Sequence, residues 1–347
     1  MKVISYHFNI GYGWVMQAFA LQKYLAFNGY SVKHLKLFMP SNNYVLEQKK
    51  KEYPLFIWKP IAVLRKIKYI LLNLFYYKKL FDKANIKFTN NFSMDKDSCF
   101  IVGSDQIWNP NFIKNMEKIY FLEFNDSAKK ISYAASLGMS KWPKEFEQKI
   151  LPWLEKFDSI SVREESGAKY LRNLGLDAVC VCDPTVLHSG DFYRKEFNVG
   201  KKLEYINEKF VFKYFLRGVV SQIDGIKNII VDFQNKKTMV TVSRWLSLID
   251  NSEFVLTDSF HCVVFCILFH KPFAVFANNS KQLNEMNDRF LTILGRTNLE
   301  YRILQGNETE EQILKIVKKE IDWEQVDRVL EEWRNYSKKW LMEAIAK

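Results

Sequence analysis

A chain of 347 residues is too long for one small core and predicts two domains of ordinary size. It is 48% hydrophobic and 26% charged, an ordinary globular balance, and no uninterrupted apolar run reaches membrane-spanning length. The net charge of +12 points to an anionic partner: a phosphate-bearing substrate, an anionic membrane surface or nucleic acid.

The chain opens directly on a strand, Lys2–Phe8, so no signal peptide is expected. Asn9 to Gly13 is a loop with two glycines that does not match the GxGxxG dinucleotide pattern. A helix over Trp14–Asn28, closed by Gly29, and a strand over Tyr30–Leu37 follow. Strand, glycine loop, helix and strand is how doubly wound α/β domains begin. Residues 44–90 differ in character. Lys49-Lys50-Lys51 leads into Tyr53, Phe56 and Trp58, and from Ile61 onward lysines and arginines interleave with Tyr69, Phe75, Tyr76 and Tyr77. Two readings fit this segment: a membrane-surface element with its lysines on anionic head groups, or a packed helix pair with a solvated basic face.

Cys99–Val102 is a buried strand running into Gly103-Ser104-Asp105-Gln106-Ile107-Trp108-Asn109-Pro110. Polar residues at the carboxyl end of such a strand lie where open α/β sheets bind ligands. Asp105 is therefore a candidate for holding a hydroxyl, against the plainer reading of a turn aspartate. Lys130–Ala135 is a strand, and Lys144–Phe157 is a helix with a kink or break expected at Pro152. Ser159–Arg163 is a strand ending in an arginine that is either a ligand or a surface ion-pair residue. Glu164 or Glu165 opens a helix that Gly175 stops, and Val179–Cys182 is a further strand. Asp183-Pro184-Thr185 reads as the end of a domain. A polar stretch, Gly190–Glu208, separates the halves, and Lys209–Leu216 begins the second, with Arg217-Gly218 as a turn. Lys237–Val242 reads as a strand and Trp245–Asn251 as a short helix.

The most informative stretch is Phe254–Phe276. It reads as a strand to Thr257, N-cap residues Asp258 and Ser259, an almost wholly apolar helix, and a strand after Pro272. A helix this apolar is buried on most sides, so its first turn, which carries His261, is the part to meet a ligand. Helix N-termini favour anions, and histidine exchanges protons near neutral pH. The alternative is a partly buried histidine that only donates a hydrogen bond. Lys281, Arg289 and Arg296 follow in a polar segment. Ile313–Ile321 is helical, and Trp323–Ala346 is one long amphipathic helix. The five cysteines sit at apolar positions and read as reduced core residues, and no Cys/His set completes a metal site.

GSDQIWN, KKISYAASLG, ISVREESG, VCDPTVL and TDSFHCVVFCILFHKPF, in this order and spacing, closely resemble the polysaccharide pyruvyl transferase family. The resemblance runs from about Gly13 to Gly295. It implies two Rossmann-like α/β domains facing a cleft, as in GT-B glycosyltransferases. The domain limits expected are 1–195 on the acceptor side, 196–321 on the donor side, and 322–347 as a long C-terminal helix packing back toward the first domain. It implies transfer of the enolpyruvyl group of phosphoenolpyruvate onto a saccharide, giving a pyruvate ketal, in cell-surface polysaccharide (exopolysaccharide or capsule) synthesis. The arginine of the family's SVRE motif is Arg163 and the histidine of its S/R-x-H-G/A motif is His261. With Lys281, Ser259 and Arg217 they form the expected donor site. Asn9, Asp105 and Gln106 form the expected acceptor site, with His261 and Asp105 as the catalytic pair. Cys262 stands where the family usually has Gly or Ala, so a side chain there would narrow the donor pocket. No metal and no cofactor beyond the donor is expected. The expected partners are phosphoenolpyruvate, a saccharide that a lipid could carry, and an anionic membrane surface, but not nucleic acid. The expected location is cytoplasmic, peripheral at the inner face of the membrane. Two other classes remain: a GT-B glycosyltransferase using a nucleotide sugar, which would need a ribose-binding carboxylate in the second domain, and a non-catalytic basic protein, which leaves the strand-end motifs unexplained.

Overall fold

The computed structural model describes residues 1–4, 11–35, 86–89, 99–113, 116–199, 206, 208–217, 222–233, 235–276 and 288–347. Asn9, Lys281 and nearly all of the basic segment 44–90 lie outside the described residues.

The first sheet is built from β1 (Lys2–Ile4), β2 (Lys33–Leu35), β3 (Phe88–Thr89), β4 (Cys99–Val102), β5 (Lys129–Ala135), β6 (Ser159–Val162) and β7 (Ala178–Cys180). All pairs are parallel, in the order β3-β2-β1-β4-β5-β6-β7. The second sheet contains β8 (Phe210–Phe215), β9 (Lys227–Asp232), β10 (Phe254–Thr257), β11 (Phe273–Phe276) and β12 (Ile303–Leu304), parallel in the order β12-β11-β10-β8-β9. Strand order reverses between β1 and β4 in one sheet and between β8 and β10 in the other. Those reversals open crevices at the carboxyl ends of the strands.

The helices are α1 (Tyr12–Phe27), α2 (Glu117–Tyr120), α3 (Lys144–Leu154), α4 (Glu165–Asn173), α5 (Gly190–Phe197), α6 (Val242–Asn251), α7 (Phe260–Leu268), α8 (Asp288–Arg296), α9 (Glu310–Lys318) and α10 (Trp323–Ala346). Every side chain of α7 is buried, as its composition requires. One apolar cluster takes in α1, α7 and strands of both sheets, so the two halves share a core. A smaller cluster, including Val211, Leu256, Leu304 and Ile313, covers the far face of the second sheet. The α10 helix packs on the first sheet. Its Ser337 hydroxyl accepts the Cys182 amide at 2.9 Å, Arg334 Nε donates to the Val186 carbonyl at 2.6 Å, and Lys129 Nζ reaches the Ile345 carbonyl at 2.8 Å.

Several elements differ from the sequence reading, each for a local reason. The first helix begins at Tyr12, so Gly13 lies inside it and not in the loop. Helix α3 continues through Pro152, and the Glu155 amide still bonds to the Leu151 carbonyl at 3.1 Å, because a proline this near the C-terminus removes one donor without stopping the last turn. The polar stretch 190–208 contains α5, capped by Ser189, whose hydroxyl accepts from the Phe192 amide at 3.3 Å. Lys237–Val242 is not a strand. Both backbone groups of Val240 are taken by the Tyr12 hydroxyl, which donates to the carbonyl at 2.7 Å and accepts from the amide at 3.0 Å. That contact joins residues 228 apart in sequence, so propensity alone cannot foresee it. Thr309 and Gln312 form a capping box that starts α9 at Glu310, three residues before the predicted start.

Candidate active site

The carboxyl ends of β4, β6 and β7 carry Ser104-Asp105, Arg163-Glu164 and Asp183. The end of β8 carries Arg217, and the end of β10 carries Asp258-Ser259 and His261. The two sets meet. Arg163 Nη1 donates to Asp183 Oδ2 at 3.0 Å, and His261 Nε2 stands 3.5 Å from the same oxygen. Arg163 from the first sheet and His261 from the second are thus brought together across 98 positions of sequence (261 minus 163).

Asp183 is the centre of this joint. Ser104 Oγ donates to Oδ2 at 2.9 Å, and Oδ1 accepts from the Thr185 amide at 3.0 Å and hydroxyl at 2.7 Å. Burial alone would raise its pKa. The His261 ring, the Arg163 guanidinium and the Thr185 amide together hold the carboxyl far below the usual carboxylate range. The sequence reading took Asp183 for a domain end and missed this role. The available signal was the one used for Asp105, an aspartate just past an apolar strand.

Arg163 is only 1% exposed, so it is not a surface ion-pair residue. Its Nε lies 3.4 Å from Glu164 Oε1, its Nη2 lies 3.5 Å from Asp105 Oδ1, and its guanidinium covers the Phe260 ring at 4.4 Å. Glu164, also unassigned from sequence, accepts from Ser136 Oγ at 2.5 Å, and burial pushes its carboxyl up against the opposing pull of Arg163 and Ser136. Asp105 adopts φ 71°, with Oδ1 accepting from the Gln106 amide at 2.9 Å. The carboxylate thus bonds to the next residue's amide, and φ 71° is a left-handed conformation in which aspartate is enriched. Its Oδ2 and the Gln106 Nε2 have no hydrogen-bond partner.

His261 is buried and held by close packing. A Cβ built on Gly13 would lie 2.1 Å from His261 Nδ1, so α1 approaches the ring as closely as only glycine permits. Asp258 does not cap α7 as expected. Its carboxylate accepts from the Leu216 amide at 2.7 Å and the Arg217 amide at 3.1 Å, tying β10 to β8 at the strand-order reversal. Ser259 is the N-cap residue but makes no side-chain capping bond. Cys262 is buried in the core beside Cys266.

Among the described residues, buried side-chain nitrogens and oxygens without a hydrogen-bond partner gather at this joint, on Asp105, Gln106, Arg163, Glu164, His261 and Arg289. Native interiors leave few such atoms, so a cluster of them marks a site built for a ligand. Among the described residues no group of three or more His, Cys, Asp and Glu side chains is placed to hold a metal ion.

Two parallel-sheet halves whose strand ends share one buried polar joint define a two-domain α/β fold of the GT-B type. The structure resembles that of UDP-N-acetylglucosamine 2-epimerase from Rickettsia bellii, with a TM-score of 0.53 and 12% identity over 100% of this chain and 95% of that one. It also resembles UDP-GlcNAc 2-epimerase from Neisseria meningitidis, with a TM-score of 0.51 and 13% identity over the whole of both chains. The polysaccharide pyruvyl transferase family model matches residues 12–280, and the chain belongs to that family. No curated protein sequence matches it.

Proposed function

We propose that this joint binds phosphoenolpyruvate and transfers its enolpyruvyl group to two hydroxyls of a saccharide, releasing phosphate and leaving a pyruvate ketal. The observation that carries the reading is the meeting of Arg163 and His261 on Asp183, beside buried N–H groups that lack acceptors. The donor is a small polyanion with a carboxylate and a phosphate, and its binding calls for guanidinium groups and an uncapped helix terminus.

A proton delivered to the enol methylene makes a methyl group and an oxocarbenium-like carbon. One sugar hydroxyl adds there and loses its proton. A second hydroxyl closes the ring as the C–O bond to phosphate breaks, and its proton leaves with the phosphate. His261 is the proton carrier, because its Nε2 lies at the joint without a hydrogen-bond partner, 3.5 Å from Asp183 Oδ2, while Gly13 packs against the Nδ1 edge of the ring. Asp183 orients the ring and balances the charge that forms on it. Asp105 Oδ2 is the acceptor-side carboxylate oxygen left without a partner. Arg217, Ser259, Gln106, Lys281 and Asn9 complete the proposed donor and acceptor sites. No described helix is long and apolar enough to cross a membrane. The proposed setting is cytoplasmic, with the basic segment 49–88 on anionic lipid at the inner face, where a lipid-linked acceptor would be presented.

Thermal unfolding with phosphoenolpyruvate or with UDP-GlcNAc tests the donor. Stabilisation by phosphoenolpyruvate supports the reading. Stabilisation by the nucleotide sugar alone would replace it with a glycosyltransferase or epimerase.

A further inference from the structure

We propose that Arg289 is a further anion-binding residue of this site, closing on the charged end of the ligand from the second half of the molecule. The inference rests on the reading of the joint as a donor site and extends it to a residue outside the matching motifs.

Three buried arginines show why Arg289 stands apart. Arg302 donates Nη1 to the Phe273 carbonyl at 2.9 Å and Nη2 to the Lys319 carbonyl at 2.6 Å, leaving only Nε without a hydrogen-bond partner, and is a structural clamp. Arg163 has three carboxyl groups around it. Arg289 is 8% exposed, and both its Nε and its Nη2 lack a hydrogen-bond partner. A buried guanidinium without acceptors is expensive, and a native fold keeps one where a ligand supplies them.

Its surroundings identify the ligand's charge. Arg289 opens α8, and α8 is fastened to the first half at α4. The Glu165 amide donates to Thr292 Oγ1 at 3.2 Å, and Arg296 pairs with the Glu165 carboxylate. The start of α8 is thereby held beside the Arg163-Glu164 end of β6. Phe290, under the Arg289 guanidinium at 5.1 Å, packs at 6.2 Å from Phe260, the ring that Arg163 covers. Burial, together with the like charges of Arg217 and Arg163, lowers the Arg289 pKa to about 10, leaving it a cation at neutral pH. Asp105 and Asp258 lie within electrostatic range, but neither forms an ion pair with it. Three guanidinium groups drawn this close call for a small ligand with more than one negative charge. A phosphate group is the chemistry that meets an open Nε/Nη2 edge with two parallel bonds.

The test is thermal unfolding of the whole protein against inorganic phosphate at constant ionic strength, for wild type, Arg289→Gln and Arg289→Lys. Wild type should show a saturable rise in Tm. Arg289→Gln should weaken the apparent phosphate affinity roughly 10- to 100-fold, the usual loss for a charge-assisted hydrogen bond. Arg289→Lys should fall between, keeping the charge without the fork. The ligand-free Tm of Arg289→Gln should not fall, because the change removes an uncompensated cation. Equal phosphate affinity in all three proteins, no saturable effect on wild type, or a loss of ligand-free Tm with an intact phosphate response would each overturn the inference. If Arg289→Gln does not fold, the inference fails unless Arg289→Lys folds and binds phosphate more weakly. A phosphate effect that depends on Arg289, in a protein that phosphoenolpyruvate leaves unchanged, would keep this site and discard the proposed donor.

Discussion

At the edge of the first sheet, one guanidinium, Arg163, sits among three carboxyl groups, Asp183, Glu164 and Asp105. At the edge of the second, Arg217 and Arg289 share the neighbourhood of Asp258, whose two oxygens are already taken by backbone amides. The first edge surrounds its guanidinium with carboxyl groups, whereas at the second Arg289 keeps Nε and Nη2 without a hydrogen-bond partner. The first can therefore hold its geometry with the site empty, which is what positioning a proton carrier requires. The second keeps positive charge in reserve, which is what drawing in an anion requires. Asp183 joins them, since His261 reaches it from the second half and Arg163 from the first.

The sharpest way to break this division is to remove the group that crosses it. His261→Ala should reduce turnover at saturating donor by about 10²- to 10⁴-fold, the usual contribution of an acid–base group, with donor affinity changed far less. Steady-state phosphate release measures the first quantity and calorimetric titration the second. A variant that loses folding stability but keeps its turnover would return His261 to a purely structural role.

Next in size is the compensated edge. Asp183→Asn leaves Arg163 buried with one fewer counter-charge, and breaking a buried pair typically costs about 3–5 kcal/mol. A large fall in Tm is expected. Asp183 also stays ionised in the fold at pH values where the unfolded chain protonates it. Its stabilisation is therefore present above the ordinary carboxylate range and lost as pH falls through it. The acid limb of the stability profile should flatten in the asparagine variant, and an unchanged limb would show that Asp183 is not the anchor.

Smaller again is the contact that seats the ring. Gly13→Ala would drive a methyl into His261 Nδ1, and a displacement of about 1 Å can cost roughly 10²-fold in rate. In the His261→Ala background the same change should add almost nothing, because the ring it displaces is gone. Additive effects in that cycle would contradict the account.

The smallest expected effect lies away from the site and serves as its control. His188 stacks on Phe192 at 4.0 Å, bonds to the Ala20 carbonyl at 2.9 Å, and burial lowers its pKa to about 4. Its folded pKa is depressed, so the unfolded chain takes up the proton first as pH falls. Stability should decline from about pH 6.5 toward pH 4, by about 2 kcal/mol at pH 5. His188→Gln should remove that part of the slope without altering donor affinity.

The sequence made the architecture legible wherever local pattern decides it. The parallel strands carry apolar runs, and α7 is too apolar to be anything but buried. It failed where a distant partner decides. Val240 looks like part of a strand until the Tyr12 hydroxyl takes both its backbone groups. At the site, Arg163 and His261 were marked by their motifs, and Asp105 by its place after a strand. Asp183 had the same placement but was read as punctuation. Arg289 had no local signal at all. Among the described lysines and arginines it is marked by burial with two guanidinium nitrogens, Nε and Nη2, that lack a hydrogen-bond partner, and burial is a property of the fold.

The most direct test of the central claim is a crystal structure of the protein with phosphoenolpyruvate bound. The donor is expected between the two sheet edges, within hydrogen-bond distance of Arg163 Nη2 and Arg289, and with its methylene carbon facing His261 Nε2. Donor density at any other place, or a bound donor that leaves those three groups without contact, would contradict that claim.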